Sequence, residues 1–540
     1  GRTEEKELFL AAKIRATSPF FFPPPYSSRQ RCRTFRKGFE KFFAATPVLQ
    51  KEKTMLIHRR HLLTGSLAAA AAWAALPAQA KVDSVPWEED CEVVVIGSGG
   101  AGMATAVSAR ESGLKDVVVL EKLAFLGGNT GVATGSFNTW SPDQEKQGIR
   151  DSPEHHAAQT MQGGDYRNNR ALVELLVHNT YPTFEWLVGM GMEFDPKIAQ
   201  IYGGLWPRGH YPAKGKGIEY IKVLEKRAKE LGGIDIRTNA RVTGIVREKF
   251  LEGRVLGVEY ADKNGKLHYL CAKQGVVAAA GGCCANGKMC GIHDPRLEKL
   301  TTTNIATAST GEILTMMEDL GAMTTGLDFI QCNPGCPPGR TFRTNFHSVP
   351  AWMIMVDKSG KRFVAEDARR DEIRDAILNI RDQTAFAVQD SNGFAHDAIG
   401  AQRDNRHALT TGDAWTDDTL EGLAKKMGVP VETFVATVKA YNKGCDEKKD
   451  EMGRAASTLN KIEKAPFWAG YTSMSRHFTC GGAVINTRFQ VIDRHFRPIE
   501  GLYAVGETSA GVHGTNRLGG NAIAEIFTFG RLLGKELAQA

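Results

Sequence analysis

The apolar positions of the chain fall into short β-branched runs that end in glycine and are followed by helical periods. Cys91 to Ile96 (CEVVVI) is one such run; Gly97-Ser-Gly99-Gly-Ala101-Gly102 follows it, and then the helical segment MATAVSARESG. Together these predict strand, glycine turn and helix. A second run, Val117 to Leu120, ends at Glu121. Gly275 to Gly282 (GVVAAAGG) and Gly501 to Gly506 (GLYAVG) repeat the pattern, and Ala522 to Leu533 puts Ile523, Ile526, Phe527 and Leu533 on one helical stripe. Continuous apolar runs of this kind suit strands buried on both faces of a parallel sheet. We expect a doubly wound sheet built from both ends of the chain. Between Leu327 and Arg476 helical patterns take over, at Thr419 to Met427 and Val431 to Tyr441, with a charged turn at Asp446 to Glu451. That stretch reads as an inserted domain. Phe184, Trp186 and Met190 are spaced as one helix face and read as core.

Charge alters the picture mainly at the N-terminus. The chain has 540 residues and a net charge of +7, but residues 1–80 hold 14 Lys/Arg against 5 Asp/Glu, leaving 54 against 56 beyond. The basicity belongs to the leader, so nucleic acid is not an expected partner. From Met55 the leader runs MLIHRRHLLTGSLAAAAAWAALPAQA, with Arg59-Arg60 before an Ala-rich run and a small-x-small end at Ala78-Gln79-Ala80. Residues 55–80 read as a twin-arginine signal peptide, 1–54 as an upstream or non-native extension, and the mature protein as periplasmic, exported folded. The run Leu62 to Leu76 falls short of the ~20 strongly apolar residues of a span, so no stable membrane span is expected after cleavage. Of ten cysteines, nine lie beyond the signal without regular spacing, which predicts mostly free thiols, and no Cys/His pattern has metal spacing.

The chemistry sits at the glycine turns. Gly97, Gly99, Ala101 and Gly102 open a helix whose N-terminus suits a pyrophosphate, and Glu121, 19 residues after Gly102, is placed for a ribose diol. Lys122 follows it. The second turn, Gly127-Gly128-Asn129-Thr130, and the strand ends at Gly281-Gly282 and Gly506-Glu507 favour FAD over a nicotinamide cofactor. The expected fold class is therefore α/β: a Rossmann-like FAD-binding domain of the two-dinucleotide-binding-domain flavoprotein type, residues 81–326 and 477–540, with an inserted α+β capping or clamp domain, 327–476. In GVHGTNRLGGNAIAEIFTFGR, Gly511 to Arg531, Arg517 offers a fixed two-pronged donor for a carboxylate just before a helix start.

These motifs, with Gly163-Gly164, Arg208-x-His210-x-Pro212, Gly360-Lys-Arg-Phe-Val364 leading to Arg370-Asp371, and His477-x-Thr479-x-Gly481-Gly482, closely resemble the soluble flavoprotein fumarate reductases. That family includes the flavin subunit of flavocytochrome c and relatives reducing urocanate, methacrylate and other enoates. The resemblance covers nearly all of the mature chain, without the family's haem and FMN-attachment modules. It implies a non-covalent FAD contacted also by His210, Gly519, Asn521, Ala522 and Ile523, with His513 in support. It further implies an α,β-unsaturated carboxylate gripped by Arg517 and His477, with Asn333 and Thr479 also on the substrate, hydride from flavin N5 to the β-carbon, and a proton from Arg370. Electrons would come from a separate cytochrome c or quinol-linked donor. Asn333 stands where fumarate reductases carry a gripping His, and the segment that should hold a relay Glu reads Arg340-Thr-Phe-Arg343-Thr-Asn-Phe-His347. A substrate with a neutral far end is therefore expected rather than fumarate, with Arg340, Arg343 or His347 open as relay. Cys480 reads as a small filler. A ketosteroid-type dehydrogenase on the same fold and a flavoprotein acting only in electron transfer are the alternatives.

Overall fold

The computed structural model describes residues 85–335, 337, 340, 344–397 and 399–539. The extension, the signal segment, Cys336 and Arg343 lie outside the described residues. The first strand, β1 (Glu89–Ile96), runs into the glycine turn and α1 (Gly100–Glu111), and β2 (Val117–Glu121) follows. Val93, Val94, Val95, Val117 and Val119 are each wholly buried, which is why these runs carry no polar alternation. Next come α2 (Pro153–Gly163), α3 (Arg170–Gly189), α4 (Ile218–Leu231), β3 (Ile234–Thr238), the hairpin β4 (Arg241–Lys249) and β5 (Glu252–Ala261), and β6 (Leu267–Ala278).

The two ends of the chain meet in one sheet. Near the C-terminus β12 (Gln490–Ile492) and β13 (Pro498–Ala504) precede α8 (Asn521–Leu537). The eight-stranded sheet has the order β12-β13-β6-β1-β2-β3, with β5 joining β6 and β4 joining β5. The central pairings β13/β6, β6/β1, β1/β2 and β2/β3 are parallel. Helix α8 packs along α1, where small residues permit backbone approach: Ser108 Oγ donates to the Arg531 carbonyl at 2.7 Å. Phe184, Trp186 and Met190 pack against the cluster of Met103, Phe137, Leu187 and Tyr220, in keeping with a core role.

The middle of the chain contains a sheet that helical periodicity alone did not reveal. Strands β7 (Ile330–Gly335), β8 (Ile354–Val356), β9 (Thr384–Gln389), β10 (Ala414–Asp417) and β11 (Phe467–Thr479) form an antiparallel array in which β11 pairs with β7, β9 and β10. Helices α6 (Leu420–Met427) and α7 (Val431–Glu447) cover it through Leu423, Phe434, Val438 and Tyr441. Helix α5 (Arg370–Asn379) lies on the other side with Ile373 and Ile377 against Met353, Met355 and Met474. The segment approaching α5 is anchored by a buried charge cluster: Glu366 accepts from Arg362 at 2.7 and 3.0 Å, from Arg454 at 3.0 Å and from the Met355 N–H at 2.9 Å. Four donors on one buried carboxylate satisfy it fully, which gives Gly360-Lys-Arg-Phe-Val364 a structural purpose. Among the described residues no helix is long and apolar enough to cross a membrane.

Candidate active site

A cleft of about 920 Å³, open to solvent, begins at the first glycine turn and is lined by Gly97, Gly99, Ala101, Glu121, Lys122, Gly128, Asn129, Thr130, Gly281 and Glu507. Gly97 sits at φ +104°, and a Cβ on Gly102 would collide with the Gly97 carbonyl oxygen, so the turn closes tightly only with glycine at both. Glu121 is fixed by Ser98, whose N–H and Oγ donate to it at 3.0 and 2.7 Å. Thr130 Oγ1 accepts from the Gly100 N–H at 3.0 Å, the Gly127 N–H donates to the Ser98 carbonyl at 3.1 Å, and Lys122 Nζ donates to Thr310 Oγ1 at 2.8 Å. Asn129 donates to Ser309 Oγ at 2.8 Å and accepts from the Ile305 N–H at 2.9 Å, which ties the second glycine turn across the cleft. An elongated cleft with a helix N-terminus, a carboxylate at the end of β2 and glycine-lined walls fits FAD.

Glu507 closes the far end. It follows Gly506, and its Oε1 accepts from the Thr479 N–H at 2.9 Å and Thr479 Oγ1 at 3.0 Å, with Gly282 packed against both. Burial pushes the Glu507 carboxyl up to about 7, against the pull of the Thr479 bonds. The folded protein therefore binds this proton more tightly than the unfolded chain, so the stability it contributes is present below the ordinary 4.5 and lost as pH rises through about 7. The thermal midpoint of the FAD-free protein should fall between about pH 5 and pH 8, and Glu507→Gln should flatten that slope. Equal slopes in the two proteins would assign the titration elsewhere.

On the other side of β11 two guanidinium groups converge. Arg517 is 5% exposed and donates through NH2 to Gln331 Oε1 at 2.8 Å and through NH1 to the Leu518 carbonyl at 3.1 Å. Arg370, 7% exposed, donates to the same Gln331 oxygen at 3.2 Å and to the Tyr202 carbonyl. Each cation also lies over an aromatic ring, Arg517 4.6 Å from the Phe478 centroid and Arg370 4.7 Å from that of Tyr202. Gln331 is held in turn by donating to Asn516 Oδ1 and to the Arg517 carbonyl, both at 2.8 Å. Burial lowers the Arg517 pKa, against the opposing charges of Glu507 and Glu525, and a desolvated cation whose hydrogen bonds among the described residues go to neutral oxygens is suited to an anion.

The remaining candidate residues divide between this site and the layer beneath it. Asn333 lies two positions along β7 from Gln331, opposite Ser475, and its Oδ1 is buried with no hydrogen-bond partner among the described residues. His477 Nδ1 pairs with Thr303 Oγ1 at 2.6 Å, where the β7/β11 register shifts between Phe478 and Arg476, and Thr479 bonds to Glu507. Gly519 packs against Arg370 and Tyr202, and Ala522 is the second residue of α8. Three cofactor candidates lie off the cleft. His210 is committed by both ring nitrogens, to Ser141 Oγ and the Arg208 carbonyl at 3.0 Å each, among Phe184 and Phe194. Asn521 is wholly buried in a network with Asn138, His156 and Thr160 at 2.9 to 3.0 Å, and Ile523 is core, its neighbour Ile526 lining the cleft instead. His513 pairs with Glu525 at 2.8 Å. Of the relay candidates, Arg340 is engaged by Asp413 at 2.7 Å, whereas His347 is buried with its ring 6.0 Å from Tyr202.

Gln331 was missing from the sequence-based set, although its place two positions before Asn333 on a period-2 strand was the available signal. Ser309 and Thr310 had no local mark, since each reaches the cleft only through tertiary contacts.

Comparison with known proteins agrees with this geometry. Residues 92–523 match the family model described as FAD binding domain. A Shewanella frigidimarina protein named "Probable fumarate reductase Ifc3" is 34% identical over 455 residues, covering 84% of this chain and 75% of its own. A flavocytochrome c3 fumarate reductase solved in an open conformation superposes with a TM-score of 0.72 at 30% identity, covering 92% of this chain and 85% of that one. A 3-ketosteroid-Δ4-(5α)-dehydrogenase from Rhodococcus jostii superposes at 0.70 with 25% identity, covering 85% and 99%. The chain belongs to the FAD-binding flavoprotein family of the fumarate reductases, as an FAD-dependent oxidoreductase acting on CH–CH groups.

Proposed function

We propose that the protein reduces the C=C bond of an α,β-unsaturated carboxylate whose far end is uncharged. The observation that carries this reading is the convergence of the buried Arg370 and Arg517 on the single oxygen of Gln331, each guanidinium lying over an aromatic ring, Tyr202 or Phe478. Two cations aimed at one acceptor suit a carboxylate, whose withdrawal of electrons activates the adjacent double bond. Bound non-covalently along Gly97 to Thr130 and up to Glu507, reduced FAD supplies the hydride. Arg517 orients the carboxylate and stabilises charge developing on it. Arg370 delivers the proton; an arginine, with its pKa above ~12, can do so only in a dry site with a group to restore it. Of the two relay candidates among the described residues, His347, its ring 6.0 Å from that of Tyr202, suits that restoration better than Arg340, which is paired with Asp413. Asn333 offers a neutral donor and acceptor toward the far end of the substrate, which is why fumarate is not expected to be preferred.

The Arg59-Arg60 leader supports export in folded form to the periplasm, and a separate cytochrome c or quinol-linked protein as electron donor accords with that location. The likeness to a ketosteroid dehydrogenase supports the alternative of a neutral substrate, but a steroid has no carboxylate for Arg517. The test is anaerobic reoxidation of dithionite- or viologen-reduced enzyme by fumarate, urocanate, methacrylate, itaconate, cinnamates and a 3-ketosteroid. An enoate other than fumarate should be fastest. Fumarate in first place would refute the role given to Asn333, and a response to the steroid alone would refute the carboxylate assignment.

A further inference from the structure

The loop after α2 makes a junction that neither the cleft nor the pocket explains. Asp165 Oδ1 and Oδ2 accept from Arg369 NH1 and NH2 at 2.6 and 3.0 Å, and Oδ2 also accepts from Thr515 Oγ1 at 2.5 Å. Arg369 directly precedes Arg370, and Thr515 stands two residues before Arg517. One carboxylate thus ties the start of α5 to the turn ahead of α8. Arg369 is braced from its own side by Asp371 at 2.9 and 3.1 Å. The loop is sewn to the same turn by backbone: the Thr515 N–H donates to the Gly164 carbonyl at 3.2 Å and the Asn169 N–H to the Gly511 carbonyl at 2.6 Å, with Asn168 Nδ2 on the Val512 carbonyl at 2.7 Å. Asp165 and Tyr166 both adopt left-handed backbone, φ 54° and 56°, which costs free energy in two consecutive residues with side chains. The surrounding bonds hold them there.

We propose that Asp165 is a positioning residue that fixes the helix carrying Arg370 to the turn carrying Arg517, and so sets the spacing of the two guanidinium groups. This rests on the functional reading above. The side chains of Asp165 and Arg369 are 47% and 33% exposed, and an ion pair that exposed adds little to global stability. Its effect lies in geometry. A displacement of about 1 Å at a reacting group can cost about 100-fold in rate, and Asp165 controls the approach of both groups at once.

The experiment uses the FAD-loaded protein with Asp165→Ala, Arg369→Ala and the double variant. Backbone hydrogen exchange is read first, because it does not depend on any substrate. Arg369→Ala should speed exchange about tenfold over residues 512–518, a stretch that Arg369 reaches through Asp165, with FAD content and thermal midpoint unchanged. Kinetics with the fastest enoate come second. Each single variant should lower kcat/KM about 10- to 100-fold with kcat and KM both moved, and the double variant should be no worse than the weaker single one, as for a pair acting as a unit. Unaltered exchange over 512–518 in Arg369→Ala, or additive kinetic losses, would overturn the proposal. A wild-type enzyme reoxidised by no enoate would refute the functional reading alone, and the exchange result would still decide the role of Asp165.

Discussion

Arg370→Ala should reduce enoate turnover by about 10³-fold, within the 10²- to 10⁴-fold range of a lost general acid, while FAD stays bound. The loss should fall on kcat. The side chain is buried, lies over Tyr202 and donates to Gln331, so its removal takes away the proposed proton donor and leaves the cleft at Gly97 to Glu507 untouched. Arg370→Lys should recover only part of the rate, because an ammonium keeps the charge but cannot span the Gln331 oxygen and the Tyr202 carbonyl as a planar fork does. The measurement is single-turnover reoxidation of the reduced enzyme, with the flavin spectrum as the check on loading. Turnover close to wild type in Arg370→Ala would remove the acid from its assigned place and favour a protein that only passes electrons between partners.

Arg517→Ala should lower kcat/KM by about 10²- to 10³-fold, and here KM should carry a larger share. Truncating one partner of a buried charged hydrogen bond costs ~2–5 kcal/mol, and this guanidinium is both the proposed carboxylate anchor and a support for Gln331. Because Gln331 Oε1 accepts from Arg517 at 2.8 Å and from Arg370 at 3.2 Å, loss of Arg517 also loosens the second cation. The losses in the double variant Arg370→Ala/Arg517→Ala should therefore be less than additive. Arg517→Met, which keeps the apolar stem over Phe478, separates packing from charge: if it retained wild-type KM, the carboxylate would be bound elsewhere.

The resemblance places His477 beside Arg517 on the substrate. In the fold its Nδ1 pairs with Thr303 Oγ1, and the next residue, Phe478, lies under the Arg517 guanidinium. Thr479, also given to the substrate, is bonded to Glu507 at the end of the FAD cleft. Phe478 and Thr479, consecutive on β11, thus serve Arg517 and the Glu507 end of the cleft respectively.

What could be read from the sequence is what depends on local chain physics. The runs at Val93 and Val117, the glycine turns, the helix after Gly520 and the carboxylate at Glu121 each follow from apolar periodicity, backbone freedom or spacing within one βαβ unit, and those signals need only neighbouring residues. The α+β class of the middle domain was expected, but its strand pairing was not legible, because β7 and β9 pair with β11 across about 80 to 150 residues of chain and no local period encodes such partners. Nor could sequence order show that His210 and Asn521 spend their hydrogen bonds in the supporting layer. Both stand in motifs next to cleft residues, and only the direction of each side chain separates lining from scaffold. The chain on its own determined a flavin fold and pointed to Arg370 and Arg517 as the residues to watch. Tertiary structure decided that Gln331 joins Arg370 to Arg517, since that contact spans 39 residues on one side and 186 on the other and exists only once the strand, the helix and the turn are packed together.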